Sequence, residues 1–213
     1  MAAWAKWFPD VLPHVPGCPA PVVRHELRRA AQSLLQVSRA WQAELTPIAI
    51  TAGTADYAIA PSNPTQQQIV RIEAAWLDGQ RLSPMTPDQL DTGGLDDWRE
   101  RTGAPTGYLQ LTPGQVTLYP KPITNATTGL KLRVSLMPAD TATLIPDDLA
   151  LQYSDEIQLG AKGRLMMMPG KPWTNFDLAG TYLSAFSSTT NTAMSRAARA
   201  LVGGRIEARP KWC

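Results

Sequence analysis

Near the beginning of the chain, apolar residues recur at the three- and four-residue steps of an amphipathic helix. The pattern runs from residue 22 to about residue 42, while Arg24, Arg28 and Arg39 fall mostly outside the apolar stripe. Pro21 can occupy the first turn, where a missing N–H costs nothing. The sequence therefore predicts a helix with one buried face, formed by Val23, Leu27, Ala30, Ala31, Leu34, Val37, Ser38 and Trp41.

Two further stretches near the end of the chain show the same period. The first starts at Asp147 and Asp148, which can cap a helix and meet its positive N-terminal end, and it continues to about Met168. The second follows a cap at Thr174 or Asn175 and is ended by the glycines at 203 and 204. Its predicted buried face consists of Phe176, Ala179, Leu183, Phe186, Thr190, Ala193, Ala197 and Leu201.

The segment between Pro47 and Pro138 changes to the two-residue alternation of β-strands. Strands are predicted near residues 48–50, 57–59, 69–77, 108–111, 116–119 and 130–137. Asp78-Gly79 and the turn at residues 112–114 predict two hairpins. In the last strand, Leu130, Leu132, Val134 and Leu136 should be buried, and Lys131, Arg133 and Ser135 should be exposed.

These patterns predict an α+β fold: an antiparallel helical bundle of three to four helices with an inserted small antiparallel β domain. The bundle takes residues 22–45 and 139–203, and the inserted β domain takes residues 46–138. Five prolines between residues 9 and 21 predict an extended N-terminal arm over residues 1–21. Residues 204–213 form a basic C-terminal tail.

Composition places the chain among globular proteins. Its 213 residues, 44% of them hydrophobic, can bury a sizeable core without disulfides or metals. We expect no secretion and no membrane span, because the first seven residues lack the apolar run of a signal and no apolar stretch approaches about 20 residues. Cys18 and Cys213 are then expected to be free thiols of a protein made in a cytoplasm.

The formal net charge of +2 hides a local excess of positive charge. Residues 194–213 contain five basic side chains and one acidic one, a net charge of +4, which leaves 15 basic and 17 acidic side chains, or −2, elsewhere. A protein that binds DNA in bulk would spread its positive charge over a face. The tail is better suited to docking on one acidic or grooved surface, and a solvated terminus is the alternative.

Catalytic and metal-binding patterns are weak. His14, Cys18 and His25 have spacings unlike common zinc motifs and no adjacent fourth ligand. The carboxylate pairs 147–148 and 155–156 are adjacent on predicted helices, so the two members of each pair point apart. The sequence contains no G-x-x-x-x-G-K-[ST] phosphate loop and no G-x-S-x-G elbow. We therefore predict no enzyme activity, no cofactor and no metal.

The order of several short motifs over roughly residues 20–200 resembles one known family, the head-to-tail adaptors of short-tailed bacteriophages, also called tail tubular protein A. Each motif is weak alone, and their order carries the resemblance. They are Leu27-Arg28-Arg29-Ala30-Ala31 with Ser38 and Trp41, Tyr57, Asp78-Gly79, Gly103-Ala104-Pro105 with Tyr108, Leu118-Tyr119-Pro120 with Pro122, Met137-Pro138, Ile145-Pro146-Asp147, Tyr153, Ile157, Gly160-Ala161, Leu165, Trp173-Thr174-Asn175, Ala179 and Tyr182.

The resemblance implies a structural virion protein. Such adaptors form a twelve-fold ring beneath the portal, extend the DNA channel so that double-stranded DNA passes without specific binding, and offer a platform for the tail nozzle or tail fibres. The expected location is the head-tail interface of the virion, after assembly in the host cytoplasm. The family fold, a helical bundle with an inserted β domain, agrees with the patterns above.

Two contact sites are predicted. The resemblance implies that the tail reaches the portal, which would use Arg205, Arg209, Lys211 and Trp212, whereas a frayed terminus is the alternative. In the arm, Trp4, Trp7 and Phe8 could pack on a neighbouring subunit or tail protein, or fold back on their own subunit.

Two other segments can each be interpreted in two ways. Met166, Met167 and Met168 could form an adaptable contact surface, although at least one of them is expected in the core. The polar residues of the last helix could line a channel or form an ordinary solvated face: Ser184, Ser187, Ser188, Thr189 and Thr190.

Two other functional classes are alternatives to the adaptor. A virion enzyme such as a peptidoglycan hydrolase would need a paired acid in a cleft. A DNA-binding packaging factor would show an affinity that falls steeply with salt.

Overall fold

A computed structural model describes residues 1–92 and 98–199 and shows a mixed α+β protein. Contacts divide the chain into two compact units. The helical unit comprises Met1–Trp41 and Met137–Cys213, and the β unit comprises Gln42–Leu136. Among the helices of the described residues, none combines the length and the apolar character needed to cross a bilayer.

The helices are α1 (Phe8–Val11), α2 (Ala20–Ser38), α3 (Pro87–Thr92), α4 (Asp147–Gln152), α5 (Ser154–Met166) and α6 (Phe176–Arg199). The strands are β1 (Ala2–Ala3), β2 (Gln42–Glu44), β3 (Ile48–Ile50), β4 (Asp56–Ala58), β5 (Gln67–Leu77), β6 (Gln80–Pro84), β7 (Thr102–Gly103), β8 (Gly107–Leu109), β9 (Gln115–Tyr119), β10 (Lys121–Pro122), β11 (Ala126–Pro138) and β12 (Leu144–Ile145). Trp4–Trp7 and Leu12–His14 are short 3-10 helices.

The first long helix, α2, confirms the predicted amphipathic helix. Pro21 lies in its first turn, and the predicted face is buried except at Val37, which is 46% exposed. The helix ends at Ser38, short of the predicted residue 42, so Trp41 is buried outside it. The helix ends where Arg39 takes the left-handed conformation (φ 54°) and donates its N–H to the carbonyl of Leu35 at 2.9 Å. This residue satisfies one of the last carbonyls of the helix, as left-handed caps commonly do.

Helices α2, α5 and α6 pack against one another. Two glycines of α5 permit the close approach. A Cβ on Gly160 would lie 2.9 Å from the Phe186 ring and 3.0 Å from the Ala30 Cβ, and a Cβ on Gly163 would lie 2.8 Å from Leu183. Backbones of α5 and its neighbours are therefore closer than any larger residue would allow.

The prediction of one continuous helix from residue 147 to residue 168 is wrong, because the helix breaks at Tyr153. Tyr153 has φ −117° and ψ 25°, outside the helical region, and separates α4 from α5. Leu149, Tyr153 and Ile157 are nevertheless all buried. The four-residue steps continue through the break, so the pattern gave no sign of it.

In the β unit, one sheet follows the strand order β2-β11-β5-β6-β8-β9-β4, and β3 also pairs with β11. The predicted hairpins are confirmed: β5 pairs antiparallel with β6, and β8 pairs antiparallel with β9. Asp78 and Gly79 join β5 to β6 with φ values of 48° and 82°, which Asp and Gly tolerate better than most residues.

The prediction of a purely antiparallel β domain is wrong at two pairings. Strands β6 and β8 are parallel, with Ser83 opposite Gly107, and β7 and β10 are parallel, with Thr102 opposite Lys121. More than twenty residues separate β6 from β8 along the chain, which is enough for the crossover that a parallel pair requires. Hairpin spacing alone could not reveal this connection.

Strand β11 confirms the predicted burial of Leu130, Leu132, Val134 and Leu136. The predicted exposure of Ser135 is wrong, because this residue is fully buried and its hydroxyl donates to the Arg71 carbonyl at 3.4 Å. The β unit also contains a small apolar core made of Leu90, Trp98, Leu109 and Tyr119, and Met85 packs against it.

Candidate functional site

The N-terminal segment is not the extended arm that its prolines predict. It forms β1, two 3-10 helices and α1, and both Trp4 and Trp7 are only 1% exposed. Their rings lie 5.7 Å apart, centroid to centroid. Of the two alternatives for these tryptophans, packing on the chain's own residues is the one that the structure shows. Phe8 is half-buried.

Both indoles are held by hydrogen bonds within the helical unit. Trp4 Nε1 donates to the Ala142 carbonyl at 2.9 Å, and Trp7 Nε1 donates to the Ser154 hydroxyl at 2.9 Å. Strand β1 pairs antiparallel with β12. The N-terminal segment therefore holds in place the residues that precede α4 and the first turn of α5. A sequence signal existed: residues 4, 7, 11 and 15, all buried, follow helical steps that the prolines obscured.

The predicted portal-docking residues Arg205, Arg209, Lys211 and Trp212 lie outside the described residues. Among the basic residues of segment 194–213, Arg196 is the one whose side chain falls in the described part of the chain, and it is exposed on α6. Its positive charge opposes the rise in the pKa of Tyr153, which burial chiefly causes.

Apolar side chains are exposed where α5 leads into α6. We call Met167, Phe176 and Leu178 the apolar corner; Phe176 is the most exposed of the three, at 57%. The predicted burial of Phe176 is wrong, because the buried face of α6 begins only at Ala179. In the methionine triplet, the expectation of at least one core residue is confirmed, since Met166 is buried.

Hydrogen bonds fix the backbone of the apolar corner. The Asn175 N–H donates to the Met166 carbonyl at 3.0 Å, and the Thr174 hydroxyl donates to the Met168 carbonyl. Asn175 Oδ1 accepts the Leu178 N–H at 3.1 Å, which confirms Asn175 as a cap of α6. Ordered backbone reduces the entropy lost on binding, so this corner suits a protein contact.

The polar residues of α6 divide between two environments. Ser184, Ser187 and Ser188 are exposed, whereas Thr190 is buried and donates to the Phe186 carbonyl at 2.7 Å. Thr189 is half-buried and donates to the same carbonyl at 3.1 Å. Thr190 therefore belongs to the buried side of α6, and the three serines face solvent.

The β unit contains a pocket of about 270 Å³ beside Trp98 and Tyr119. Two of its cations have partners: Lys121 Nζ lies 3.2 Å from Glu100, and the Arg99 guanidinium lies 4.3 Å from the Trp98 ring centroid. Trp98 Nε1 donates to Asp91 at 2.7 Å. Asp56 also lines the pocket and accepts a hydrogen bond from the Thr117 hydroxyl at 2.5 Å.

The three possible metal ligands have unrelated surroundings. The His14 ring packs edge-on against Tyr182, at 6.1 Å between centroids, while His25 Nδ1 lies 3.2 Å from Arg28 Nη2. Cys18 is buried, and burial raises the pKa of its thiol. Within residues 1–92 and 98–199, no group of three or more His, Cys, Asp or Glu side chains is arranged to hold a metal ion.

The chain matches a known protein family. The sequence profile of the family described as SU10 adaptor protein matches residues 10–208, which is all but the first nine and the last five residues. No curated protein matches the chain.

Proposed function

The chain belongs to the SU10 adaptor protein family, and from this premise we propose that it joins the portal to the tail nozzle of a bacteriophage particle. Membership makes the chain a structural phage adaptor, a virion component that interacts with other virion proteins. The observation that carries the proposal is the extent of the match, because residues 10–208 include parts of both the helical unit and the β unit.

In the proposed arrangement, about twelve copies form a ring at the head-tail interface after assembly in the host cytoplasm. The ring extends the channel through which double-stranded DNA leaves, as in tail tubular protein A of short-tailed phages. Helices α2, α5 and α6 serve as an antiparallel bundle that supports the ring. Their mutual packing and the glycine contacts of α5 support this role, since close packing gives a rigid scaffold.

The tail that follows α6 docks on the portal in this proposal. Arg205, Arg209 and Trp212 are of the kinds that dominate binding energy at protein interfaces, and Lys211 adds a further positive charge. The apolar corner provides a second contact, toward the tail nozzle or fibres. Its three exposed side chains and fixed backbone support that assignment.

Negative-stain imaging of the purified chain mixed with cognate portal rings tests the proposal. We expect extra density at the narrow end of the portal, and we expect a chain truncated after Gly204 to lose it. A full-length Trp212→Ala variant keeps the length and charge of the tail, so it tests the contribution of the indole by itself. Density with every form would contradict docking by the tail, and no density with any form would contradict portal binding.

A further inference from the structure

Four neighbouring strands of the β unit place a row of charged and aromatic side chains on one face of the sheet. Arg133 of β11 lies directly opposite Glu44 of β2, and Trp76 of β5 lies directly opposite Arg81 of β6. Residues directly opposite each other in antiparallel strands share one face. The Arg133 guanidinium lies over the Trp76 ring, 5.3 Å from its centroid, which joins the two pairs. We call Glu44, Arg133, Trp76 and Arg81 the cross-strand row.

A pocket of about 390 Å³ adjoins the cross-strand row and shares Glu44 and Trp76 with it. Its volume is within the range of protein binding pockets, about 300–1,000 Å³. The Trp76 ring and the aliphatic residues give it an apolar part, while Glu44 and Lys131 give it a charged part. The lining residues, all in the β unit, are Glu44, Leu45, Pro47, Trp76, Lys131 and Leu132.

Positive charge exceeds negative charge around this pocket. Lys131, Arg133 and Arg81 are exposed cations. Glu44 is 75% exposed and lies 3.6 Å from Arg133, so it offsets one of the three. Within residues 1–92 and 98–199, no ion pair joins Lys131 or Arg81 to an acid. Two cations of this face therefore have no acidic partner in the part of the chain that the structure describes.

Two other carboxylates belong to the same hairpin, and their contacts lie elsewhere. Asp78 is in the turn between β5 and β6, where a Cβ on Gly129 would lie 3.3 Å from its carboxylate oxygen. Glu73 of β5 lies 3.6 Å from Arg71. Neither makes an ion pair with the cations around the pocket among the described residues. An external anion is therefore the complement of the two remaining positive charges.

Arg133 is held in place before any partner binds. Its guanidinium packs on the Trp76 ring and also approaches Glu44. A guanidinium has five N–H donors, so these contacts leave donors for the carboxylate of a partner. Less side-chain entropy is lost when a group that is already held binds its partner. The arrangement suits a partner that offers carboxylates and an apolar side chain next to each other.

We propose that the cross-strand row and its pocket bind an acidic segment of another protein. An apolar side chain of the segment enters the pocket, and its carboxylates contact Lys131, Arg133 and Arg81. Charge complementarity and the apolar lining of the pocket support this occupant. The inference goes beyond the proposed function, in which the tail and the apolar corner make the contacts.

Nucleic acid is the competing anion, and two observations favour protein. The Arg133 guanidinium covers a face of the Trp76 ring on which a base would otherwise stack. The exposed Glu44 repels a backbone that carries a phosphate at every step, whereas a peptide can place an uncharged residue there. The face therefore fits an acidic peptide better than a polynucleotide.

Fluorescence anisotropy with a synthetic peptide tests the proposal. The probe is a fluorescein-labelled peptide in which one leucine is flanked on both sides by aspartates. One control peptide replaces the aspartates by asparagine, and a second replaces the leucine by serine. A short DNA duplex with the same label represents nucleic acid.

Two matched variants locate the binding by charge. Lys131→Gln with Arg81→Gln removes two exposed cations of the β unit, and Lys6→Gln with Lys171→Gln removes two exposed cations of the helical unit. We expect the first variant to bind the acidic peptide at least about tenfold more weakly than the wild type, and the second to bind it equally well. Thermal melts should show that both fold like the wild type, because the four side chains are exposed.

The control peptides and salt separate the two parts of the contact. The asparagine peptide should bind at least about tenfold more weakly than the acidic peptide, because it lacks the charges. The serine peptide should bind more weakly by a smaller factor, because only the contact in the pocket is lost. Binding of the acidic peptide should also weaken as ionic strength rises.

Carbodiimide coupling locates the peptide directly. The reagent joins a lysine amine to a nearby carboxylate as an amide, so mass spectrometry should find the acidic peptide on Lys131. Lys131→Arg keeps the positive charge and offers no amine for coupling. This variant should bind the peptide and lose the coupled product.

Four results would overturn the proposal. The first is absence of binding of the acidic peptide to the wild type, and the second is equal binding by the wild type and the variant at Lys131 and Arg81. The third is coupling at Lys6 or Lys171 in place of Lys131. The fourth is tighter binding of the duplex than of the peptide, lost in the same variant, which would make this face a nucleic-acid site. Portal docking is measured separately with the truncated chain, so either idea can fail alone.

Discussion

The helical unit and the β unit differ in what they leave exposed to solvent. In the described residues, seven of the nine exposed large apolar side chains belong to the helical unit, and only Leu111 and Ile123 belong to the β unit. Three of the seven, Met167, Phe176 and Leu178, flank the connection between α5 and α6. We therefore expect the helical unit to supply more of the contacts with other virion proteins.

Charged residues do not share this difference, because both units pair charges internally. In the β unit, Lys121 lies 3.2 Å from Glu100 and Arg133 lies 3.6 Å from Glu44. In the helical unit, Arg29 lies 3.4 Å from Glu26, and the N-terminal ammonium pairs with Asp147. The difference between the units therefore lies in their exposed apolar side chains.

Replacing one tryptophan in each unit should give the largest difference in stability between the two units. Trp7→Ala deletes a fully buried indole and its bond to Ser154, so we expect a loss of about 3–5 kcal/mol in the free energy of unfolding. Trp76 is half-buried under the Arg133 guanidinium, 5.3 Å from its ring centroid. Trp76→Ala should cost about 1–2 kcal/mol. Urea denaturation measures both, and equal losses would contradict the difference in burial.

Replacing either of two glycines in the helical unit by alanine should change the free energy of unfolding in opposite directions. Gly160→Ala places a Cβ against Phe186 and Ala30, and overpacking of about 1–3 kcal/mol should exceed the gain of about 1 kcal/mol in helix propensity. Gly180 of α6 has open space around its Cβ position, so Gly180→Ala should stabilise the protein by up to about 1 kcal/mol. Thermal melts of the two variants check the signs. Stabilisation by both would mean that α5 is not closely packed.

Exposed apolar residues test the assignment of contacts. The double variant Phe176→Ser, Leu178→Ser should weaken binding to the cognate tail nozzle about tenfold, or about 1.4 kcal/mol. The matched double variant Leu111→Ser, Ile123→Ser in the β unit should leave binding unchanged. Because all four side chains are exposed, unfolding free energies should stay within about 0.5 kcal/mol. If only the β-unit variant bound more weakly, the β unit and not the helical unit would supply the contact with the tail nozzle.

The smallest expected effect concerns the fixed backbone of the apolar corner. Asn175→Ala removes the oxygen that accepts the Leu178 N–H, so the free energy of unfolding should fall by about 1 kcal/mol. Asn175→Asp keeps an acceptor and adds a charge that the helix dipole favours, so it should retain stability. Hydrogen exchange at Leu178 reports the cap directly. Equal protection in the wild type and the alanine variant would exclude a capping role.

Much of the fold was predictable because local chemistry determines it. Asn175 begins a helix and Asp78-Gly79 closes a hairpin through contacts within a few residues. The break at Tyr153 and the parallel pairing of β6 with β8 depend on distant packing, which periodicity does not contain.

The candidate sites show the same limit. Trp4 and Trp7 resemble contact residues in sequence because prolines interrupt their helical spacing, and only the partners Ala142 and Ser154 reveal their structural role. The approach of Arg29 on α2 to Arg164 on α5 likewise required the fold, because the two residues are far apart in the sequence.

The pairing of β1 with β12 has a consequence for folding order. It joins residues 2–3 to residues 144–145, and the helical unit as a whole is built from two chain segments on either side of the β unit. Contacts of such high sequence separation slow folding, because a long loop must close before they form. The β unit is continuous in sequence, so during synthesis it can fold while α2 waits for α5 and α6. Ribosome-bound chains should therefore acquire protease resistance in the β unit first.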